Sequence, residues 1–264
     1  MLLVDLNLCS SRQEAQRLIR AGEVMVNQQV IDKPGTEVET TAEIKIKERS
    51  PYVSRGGEKL SHALKEFEIP VEGRICLDGG ISTGGFTDCL LQAGAKLVYG
   101  VDVGYGQVAW SLRNDHRVVL KERTNLRHLQ ATDLYSDAQL ADLGVVDVSF
   151  ISLTKILDAL WNLLQPPCEV VLLVKPQFEV GRERVGKKGV VRDPNDHADA
   201  IAQVLQAAQK LGWAYKGLTW SPITGPAGNI EYLLWLKIES QVQPPDLAAI
   251  RQTTQSAVSH LRHG

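Results

Sequence analysis

The sequence has 264 residues, of which 44% are hydrophobic, and its formal net charge is −2. This apolar fraction is ordinary for a globular protein, and no run of about 18 apolar residues predicts a membrane-spanning helix. A net charge so close to zero excludes a polycationic chain. Any nucleic-acid binding must therefore depend on local basic surfaces.

The first residues and the cysteines indicate the compartment. The apolar stretch 1–8 is short and contains Asp5, so it does not have a secretory pattern. The cysteines are scattered without a Cys-x-x-Cys pair, which predicts neither a metal site nor a disulfide framework. These cysteines are Cys9, Cys76, Cys89 and Cys168. We therefore expect a cytoplasmic protein with reduced thiols.

Residues 1–49 predict a small α+β unit. Ser11 and Glu14 have the spacing of a capping box, so a helix is expected to begin there. It should run to about Ala21 and end at Gly22, with apolar and basic side chains on opposite sides. Short strands are expected to follow at residues 24–26, 30–31 and 44–47.

Strand and helix patterns alternate after residue 60. Seven strands are predicted, at residues 74–78, 97–102, 118–120, 145–148, 170–174, 213–220 and 232–238. Helices are predicted between them, notably at residues 86–93, 152–164 and 197–211. This alternation predicts an α/β fold with a doubly wound, largely parallel sheet. A short Pro/Gly loop joins the last two strands, so we expect that pair to be antiparallel.

Residues 75–86 predict a strand, a glycine-rich turn and the start of a helix, which is typical of a nucleotide site. The turn lacks the Gly-Lys-Ser/Thr ending of a triphosphate-binding loop. A dinucleotide stays open as a ligand, because glycines and a later acid, here Asp102, occur in both classes. Asp78 favours S-adenosylmethionine, since its charge would oppose a pyrophosphate but suit a sulfonium and an amino group.

The motif Asp78-x-Gly80-x-Ser82-Thr83-Gly84-Gly85-Phe86 resembles the opening motif of the FtsJ-like methyltransferases, in particular their hemolysin A (TlyA) branch. Further segments fit that branch, at residues 52–60, 146–153, 174–179 and 228–232. The resemblance implies a Rossmann-like methyltransferase sheet that binds S-adenosylmethionine. We expect Asp102 to accept the ribose hydroxyls and Asn125 to contact adenine. The full set predicted to bind the cofactor is Asp78, Gly80, Ser82, Thr83, Gly84, Gly85, Phe86, Asp102 and Asn125.

The first unit resembles the S-four type (αL) RNA-binding domain of ribosomal proteins. The resemblance depends on Ser11-Arg12, Ala15, Leu18-Ile19, Gly22, Val24, Val26-Asn27 and Lys33-Pro34. It implies a basic helix face laid against structured RNA, where phosphate contacts position the protein. We therefore expect an RNA-binding domain at 1–49, a linker at 50–60, a methyltransferase domain at 61–240 and a tail helix at 241–264.

The FtsJ-like resemblance implies ribose 2′-O-methylation by a Lys-Asp-Lys-Glu set, which maps to Lys59, Asp147, Lys175 and Glu231. Lys175 is the predicted general base. A lysine accepts a proton only as the neutral amine, which burial, Lys59 and the sulfonium would favour. Asp147 would orient Lys175, and Glu231 would pair with Lys59.

The implied substrate is a cytidine in ribosomal RNA or in a ribosomal subunit. Residues predicted to contact RNA are Arg12, Arg17, Arg20, Arg55, Arg182, Arg184, Lys187 and Lys188. Alternatives are a membrane-active haemolysin, a noncatalytic RNA-binding ribosome factor and a base methyltransferase. The haemolysin is disfavoured, because neither a secretory pattern nor a membrane-spanning segment is predicted. Asp147-Val148-Ser149-Phe150 stands where a base methyltransferase would usually have Asn/Asp-Pro-Pro-aromatic.

Overall fold

The structure is a computed structural model that describes residues 2–6, 8–39, 41–46, 50–135 and 139–263, with side chains up to Leu261. The chain divides into two compact units, Met1–Ser50 and Pro51–Gly264. Among the described residues, no helix is long and apolar enough to cross a membrane.

The first unit contains two helices and a three-stranded antiparallel sheet in the order β2-β1-β3. Its elements are α1 (Leu2–Asp5), α2 (Arg12–Arg20), β1 (Val24–Val26), β2 (Gln29–Ile31) and β3 (Ile44–Ile46). Helix α2 and the three strands were predicted, whereas α1 was not. Lys47, the expected end of β3, lies outside the described residues. Leu3, Leu18 and Val24 form the small core.

The predicted N-cap of α2 is confirmed, with one difference. The Ser11 hydroxyl oxygen accepts the Glu14 amide at 3.2 Å. The Glu14 carboxylate, however, accepts from the amide and the hydroxyl of Ser10, at 2.9 and 2.6 Å. The reciprocal contact thus lies one residue earlier than in a regular capping box.

The second unit is built on a seven-stranded sheet in the order β6-β5-β4-β7-β8-β10-β9. Its strands are β4 (Ile75–Gly79), β5 (Leu97–Val101), β6 (Val118–Lys121), β7 (Ala141–Val146), β8 (Leu164–Val174), β9 (Ala214–Trp220) and β10 (Tyr232–Lys237). Strand β10 runs antiparallel to β8 and β9, and the other pairings are parallel. The predicted α/β fold, the seven strands and the antiparallel final pair are confirmed.

Helices cover both faces of this sheet. They are α3 (Gly56–Glu66), α4 (Gly85–Gln92), α5 (Trp110–Arg113), α6 (Ala131–Tyr135), α7 (Leu157–Leu163), α8 (Pro176–Glu179), α9 (Pro194–Lys210) and α10 (Leu247–His263). Neighbouring strand residues point to opposite faces, so Leu77 packs in the core that includes α7 and α9. Cys76 packs in the core that includes α3 and α4. The sheet is therefore doubly wound.

The predicted linker at 50–60 is wrong from Gly56 onward, because α3 begins there and Leu60 is completely buried. Gly57 allows close packing at this point. A Cβ on Gly57 would lie 2.2 Å from the Tyr52 ring. This glycine lets the chain pack tightly as it enters the helix.

Two further expectations need correction. Strand β7 ends at Val146 instead of residue 148. Val148 is apolar, as a strand residue would be, but it lies outside the sheet. The helix expected at 152–164 is a 3-10 turn, Leu153–Lys155, followed by α7, and Leu164 already belongs to β8. Both changes lengthen the irregular segment between β7 and α7, which lies at the carboxyl edge of the sheet.

The predicted terminal helix exists as α10, but it is not a free tail. Ile250 and Ala257 are buried in the main core. The Thr254 hydroxyl donates to the Pro194 carbonyl of α9 at 2.8 Å. This helix therefore completes the packing of α9.

Candidate active site

The glycine-rich loop lies at the carboxyl edge of the sheet, between β4 and α4. Gly80 and Gly84 adopt positive φ angles of 89° and 101°, which glycine allows without strain. A Cβ on Gly80 would lie 2.5 Å from the carbonyl oxygen of Asp147. Only a glycine therefore lets the loop pack this closely against the segment after β7.

Asp78 lies beneath this loop and is completely buried. One of its carboxylate oxygens accepts the Thr87 hydroxyl at 2.7 Å, and the other has no partner among the described residues. Burial raises the pKa of Asp78 to about 7, although the Thr87 hydrogen bond lowers it. From the sequence we expected this carboxylate to face the ligand, whereas in the structure it is buried and bonds to Thr87 at the start of α4.

Asp102 directly follows β5 and stabilises the loop from the side. Its two carboxylate oxygens accept the Ser82 amide at 2.8 Å and the Gly104 amide at 2.7 Å. Asp102 and Asn125 line the same cavity, and the Asn125 side-chain oxygen accepts the Arg127 amide at 3.0 Å.

This first cavity has a volume of about 450 Å³, within the size range of small-molecule sites. It lies along the carboxyl ends of β4, β5 and β7. The residues that line it include Gly80, Ser82, Asp102, Asn125, Asp147, Ser149 and Phe150. Of the residues predicted to bind the cofactor, four line this cavity, namely Gly80, Ser82, Asp102 and Asn125. The other five do not line it: Asp78, Thr83, Gly84, Gly85 and Phe86.

A second, smaller cavity of about 210 Å³ lies on the other side of the glycine-rich loop. It is lined by α3, by the loop and by the segment before β10. The residues that line it include Ser54, Arg55, Lys59, Thr83, Gly85, Phe86 and Asp147. Gly80, Ser82 and Asp147 border both cavities, so two ligands could meet there.

The four predicted catalytic residues form two ion pairs. Lys59 on α3 pairs with Glu231, the residue before β10, at 2.5 Å. Lys175, the residue after β8, pairs with Asp147 at 2.6 Å and donates a hydrogen bond to Ser149 at 2.9 Å. Glu231 is only 2% exposed, and Lys59 and Lys175 are 7% and 8% exposed. A charge buried this deeply costs free energy when it has no partner. Separating either pair is therefore unfavourable, and each residue is held in place by its partner.

The residues predicted to contact RNA are all exposed. Arg12, Arg17 and Arg20 lie on α2 of the first unit. In the second unit, Arg55 lines the smaller cavity, and the remaining four are on the segment after α8. Arg184 is already paired with Asp196 and Asp199 on α9, at 3.3 and 2.8 Å, so it is less available for phosphate.

Sequence reasoning missed several residues of the site, chiefly Ser149 and Phe150. Phe150 is 92% exposed, has a φ of 65° and lies with its ring 5.2 Å from the Phe178 ring. Their position in the sequence could have indicated them, because both residues follow β7 at the edge of the sheet where ligands bind in folds of this type. Thr87 was missed too, because its hydroxyl on α4 reaches Asp78 on β4 across the glycine-rich loop.

Comparisons with known proteins agree with this architecture. The family model described as FtsJ-like methyltransferase matches residues 52–238, and the S4 domain model matches residues 1–44. The 16S/23S rRNA (cytidine-2′-O)-methyltransferase TlyA of Mycobacterium tuberculosis is 48% identical over 241 residues, covering 90% of this chain and 88% of that protein. Hemolysin A of Brachyspira hyodysenteriae is 43% identical over 223 residues, covering 84% of this chain and 92% of that protein.

Solved structures show the same relationship. A Streptococcus thermophilus protein described as a candidate hemolysin has a TM-score of 0.79 and 42% identity, covering 99% of this chain and 95% of the other. A structure described as an S-adenosylmethionine-dependent methyltransferase from Listeria monocytogenes has a TM-score of 0.51 and 13% identity, and the match covers 71% of this chain and 100% of the other. At this identity the match shows the fold alone. The chain belongs to the FtsJ-like methyltransferase family and carries an S4 domain at its N-terminus.

Proposed function

We propose that this protein is an S-adenosylmethionine-dependent ribosomal RNA methyltransferase that modifies the ribose 2′-hydroxyl of a cytidine in the cytoplasm. One observation carries the proposal. Lys59 and Asp147 line one small cavity beside the glycine-rich loop, and each forms an ion pair with another member of the predicted set. The rRNA methyltransferase TlyA, at 48% identity, supports the choice of substrate.

The larger cavity fits the cofactor. Its volume of about 450 Å³ suits a nucleoside. Gly80 lines this cavity, and its lack of a side chain lets the loop pack against the Asp147 carbonyl at the cavity wall. Asp102 and Asn125 would hold the ribose and the adenine from the β5 and β6 side. When bound there, S-adenosylmethionine supplies an electrophilic methyl group on a sulfonium.

Lys175 would take the proton from the 2′-hydroxyl. Its nitrogen is fixed by Asp147 and Ser149, at 2.6 and 2.9 Å, so the lone pair of the neutral amine would have a defined direction. General bases of this kind contribute roughly 10²–10⁴-fold to a rate. Asp147 also borders both cavities, which connects the base to the place where the two ligands would meet.

Lys59 would stabilise the negative charge that develops on the ribose oxygen. Glu231 holds it through an ion pair at 2.5 Å, and Lys59 is one of the residues that line the smaller cavity. A preorganised cation in a dry site is worth more than one in water, because it needs no reorganisation during the reaction. The smaller cavity is therefore the proposed place for the target ribose.

The S4 domain would select the RNA. The exposed arginines of α2 form a basic helix face, and the segment 181–189 adds cations near α8. We assign RNA binding to residues 1–49 and methyl transfer to the second unit. Phosphate contacts of this kind position a protein without reading sequence, so the nucleotide choice would depend on the shape of the RNA.

The test is methyl transfer from labelled S-adenosylmethionine to ribosomal RNA and to isolated ribosomal subunits, with the product mapped as a ribose modification. Lys175→Ala should lower the single-turnover rate by about 10²-fold or more while RNA binding persists. Lys210→Ala, an exposed lysine at the end of α9, is the matched control and should react normally. Equal activity in Lys175→Ala would contradict the proposed base, and transfer to a base would contradict the proposed reaction.

A further inference from the structure

Glu179 is a buried acid that takes no part in the steps proposed above. It ends α8, shortly after Lys175, and is 7% exposed. Its carboxylate accepts the Leu153 amide at 2.8 Å and the Ser152 hydroxyl at 2.5 Å. Throughout the described ranges, no cationic side chain forms an ion pair with it. Burial raises the pKa of Glu179, although the two hydrogen bonds oppose this change. Burying a carboxylate without a cationic partner costs free energy, so a specific role is expected for Glu179.

These hydrogen bonds connect α8 to the segment that carries part of the site. We call residues 147–152 the β7 loop. At its start, Lys175 contacts Asp147 and Ser149. At its end, Glu179 contacts Ser152 and the next amide. The start of α8 and its last residue therefore hold the two ends of the β7 loop.

The middle of the β7 loop is strained. Phe150 has a φ of 65°, a left-handed conformation that costs a non-glycine residue energy and persists only where the surroundings enforce it. Its ring lies 5.2 Å from that of Phe178, the residue before Glu179. Ser152 is further fixed, because its hydroxyl oxygen lies 2.7 Å from the Thr154 hydroxyl and accepts the Thr154 amide. The loop would relax if its second end were released.

We propose that Glu179 is a positioning residue for methyl transfer. By holding the end of the β7 loop, it keeps Asp147 and Ser149 in the places from which they direct the nitrogen of Lys175. The inference rests on the proposed role of Lys175 as the base. A misplacement of about 1 Å at a reacting group can cost about 10²-fold in rate, so a contact remote from the ligands can matter.

The experiment compares Glu179→Ala, Glu179→Gln and Ser152→Ala by single-turnover methyl transfer, with separate measurement of the Kd for S-adenosylmethionine and for RNA. Glu179→Ala should lower the rate by about tenfold or more, with both Kd values within about threefold of the starting protein. Glu179→Gln keeps an acceptor for the Leu153 amide and should recover most of the rate. Ser152→Ala removes one hydrogen bond and should lose about two- to tenfold.

Glu169→Gln is the matched control. Glu169 is also a buried acid, 6% exposed, but it pairs with Arg74 and Lys237 farther from the carboxyl end of β8. Its loss should reduce stability and leave the rate of folded protein within about twofold. If Glu179→Ala does not fold, the rate of Ser152→Ala decides. Unchanged rates in all folded variants would overturn the inference, and so would a loss that appears only as weaker ligand binding.

A double-substitution series separates this inference from the proposed base. In a Lys175→Ala background, Glu179→Ala should add less than about twofold, since the two residues act on the same step. A full additional loss would show that Glu179 acts elsewhere and would overturn the inference. If Lys175→Ala alone reacts at the normal rate, the proposed base fails whatever the result at Glu179.

Discussion

The carboxylate of Asp147 lies 2.6 Å from the side-chain nitrogen of Lys175. The two residues directly follow β7 and β8, which are neighbouring parallel strands. The carboxyl ends of such strands meet at one edge, so residues distant in sequence come together there. The pair therefore combines a structural role, joining two strand ends, with the proposed chemical one.

We predict that Asp147→Asn lowers the single-turnover rate by about 10²-fold, because the amide cannot hold the Lys175 nitrogen as the carboxylate does. The measurement is rapid-quench transfer of a labelled methyl group. Asp142→Asn is the matched control, since Asp142 lies on β7, the strand that Asp147 follows, and is also ion-paired, with Arg74. Equal losses in both variants would indicate a general effect on β7.

Much of the fold could be predicted from the sequence because its signals are local. The seven strands follow apolar runs, and the short Ser221–Asn229 connection gave the antiparallel β10. The site residues at strand ends, Asp147 and Lys175, were predictable because position along a strand decides where a side chain lies. Their pairing also follows from this position and from opposite charge.

Other features depend on contacts between distant residues and leave little trace in the local pattern. Residues 50–60 were expected to form a linker, but Gly57 packs against the Tyr52 ring at the start of α3. Asp78 was expected to face a ligand, yet Thr87 and the loop above it enclose the carboxylate. Val148 belongs to an apolar run but leaves the sheet after β7 has ended. In each case tertiary packing overrides a local preference.

Removing the partner of Lys59 should destabilise the protein. Glu231→Gln would leave a buried ammonium without its counter-charge, and such a loss typically costs about 3–5 kcal/mol. We expect the free energy of unfolding, measured with urea, to fall by this order. Glu66→Gln, an exposed glutamate on α3, should change it by less than about 0.5 kcal/mol. A near-neutral Glu231→Gln would show that water or another group reaches Lys59.

Gly80→Ala should abolish tight cofactor binding. The added methyl would meet the Asp147 carbonyl at 2.5 Å, and the φ of 89° is unfavourable for alanine. Gly73→Ala is the control, because Gly73 also has a positive φ, 73°, but a Cβ there meets nothing within 4 Å. Calorimetry should show at least about tenfold weaker binding of S-adenosylmethionine for Gly80→Ala alone. Similar losses in both variants would attribute the effect to backbone strain.

The stability of the cofactor-free protein should depend on Asp78. Its pKa is raised to about 7 in the folded state by burial, so between about pH 4 and 7 the folded state binds more protons than the unfolded one. Its contribution to stability is present below pH 4 and is lost as the pH rises through 7. Asp78→Asn cannot lose a proton, so its stability relative to the starting protein should increase from pH 5 to pH 8. Urea unfolding should show a change above about 1 kcal/mol. If the difference in unfolding free energy between Asp78→Asn and the starting protein did not change with pH, the raised pKa of Asp78 would be contradicted.

The arginines of α2 give a prediction about salt. Arg17 and Arg20 are exposed, and each phosphate contact releases about 0.7–0.9 counterion. We expect Arg17→Ala/Arg20→Ala to weaken RNA binding and to reduce the slope of log Kd against log salt by about 1.4–1.8. The control, Arg117→Ala/Lys210→Ala, removes the same formal charge from the second unit. One arginine in each double variant has an acidic partner, since Arg17 lies 3.7 Å from Glu14 and Arg117 lies 2.7 Å from Asp115. If both double variants reduce the slope equally, binding depends on net charge alone. A change confined to the α2 variant would assign the contacts to that helix, because net charge is matched and only the position of the lost cations differs.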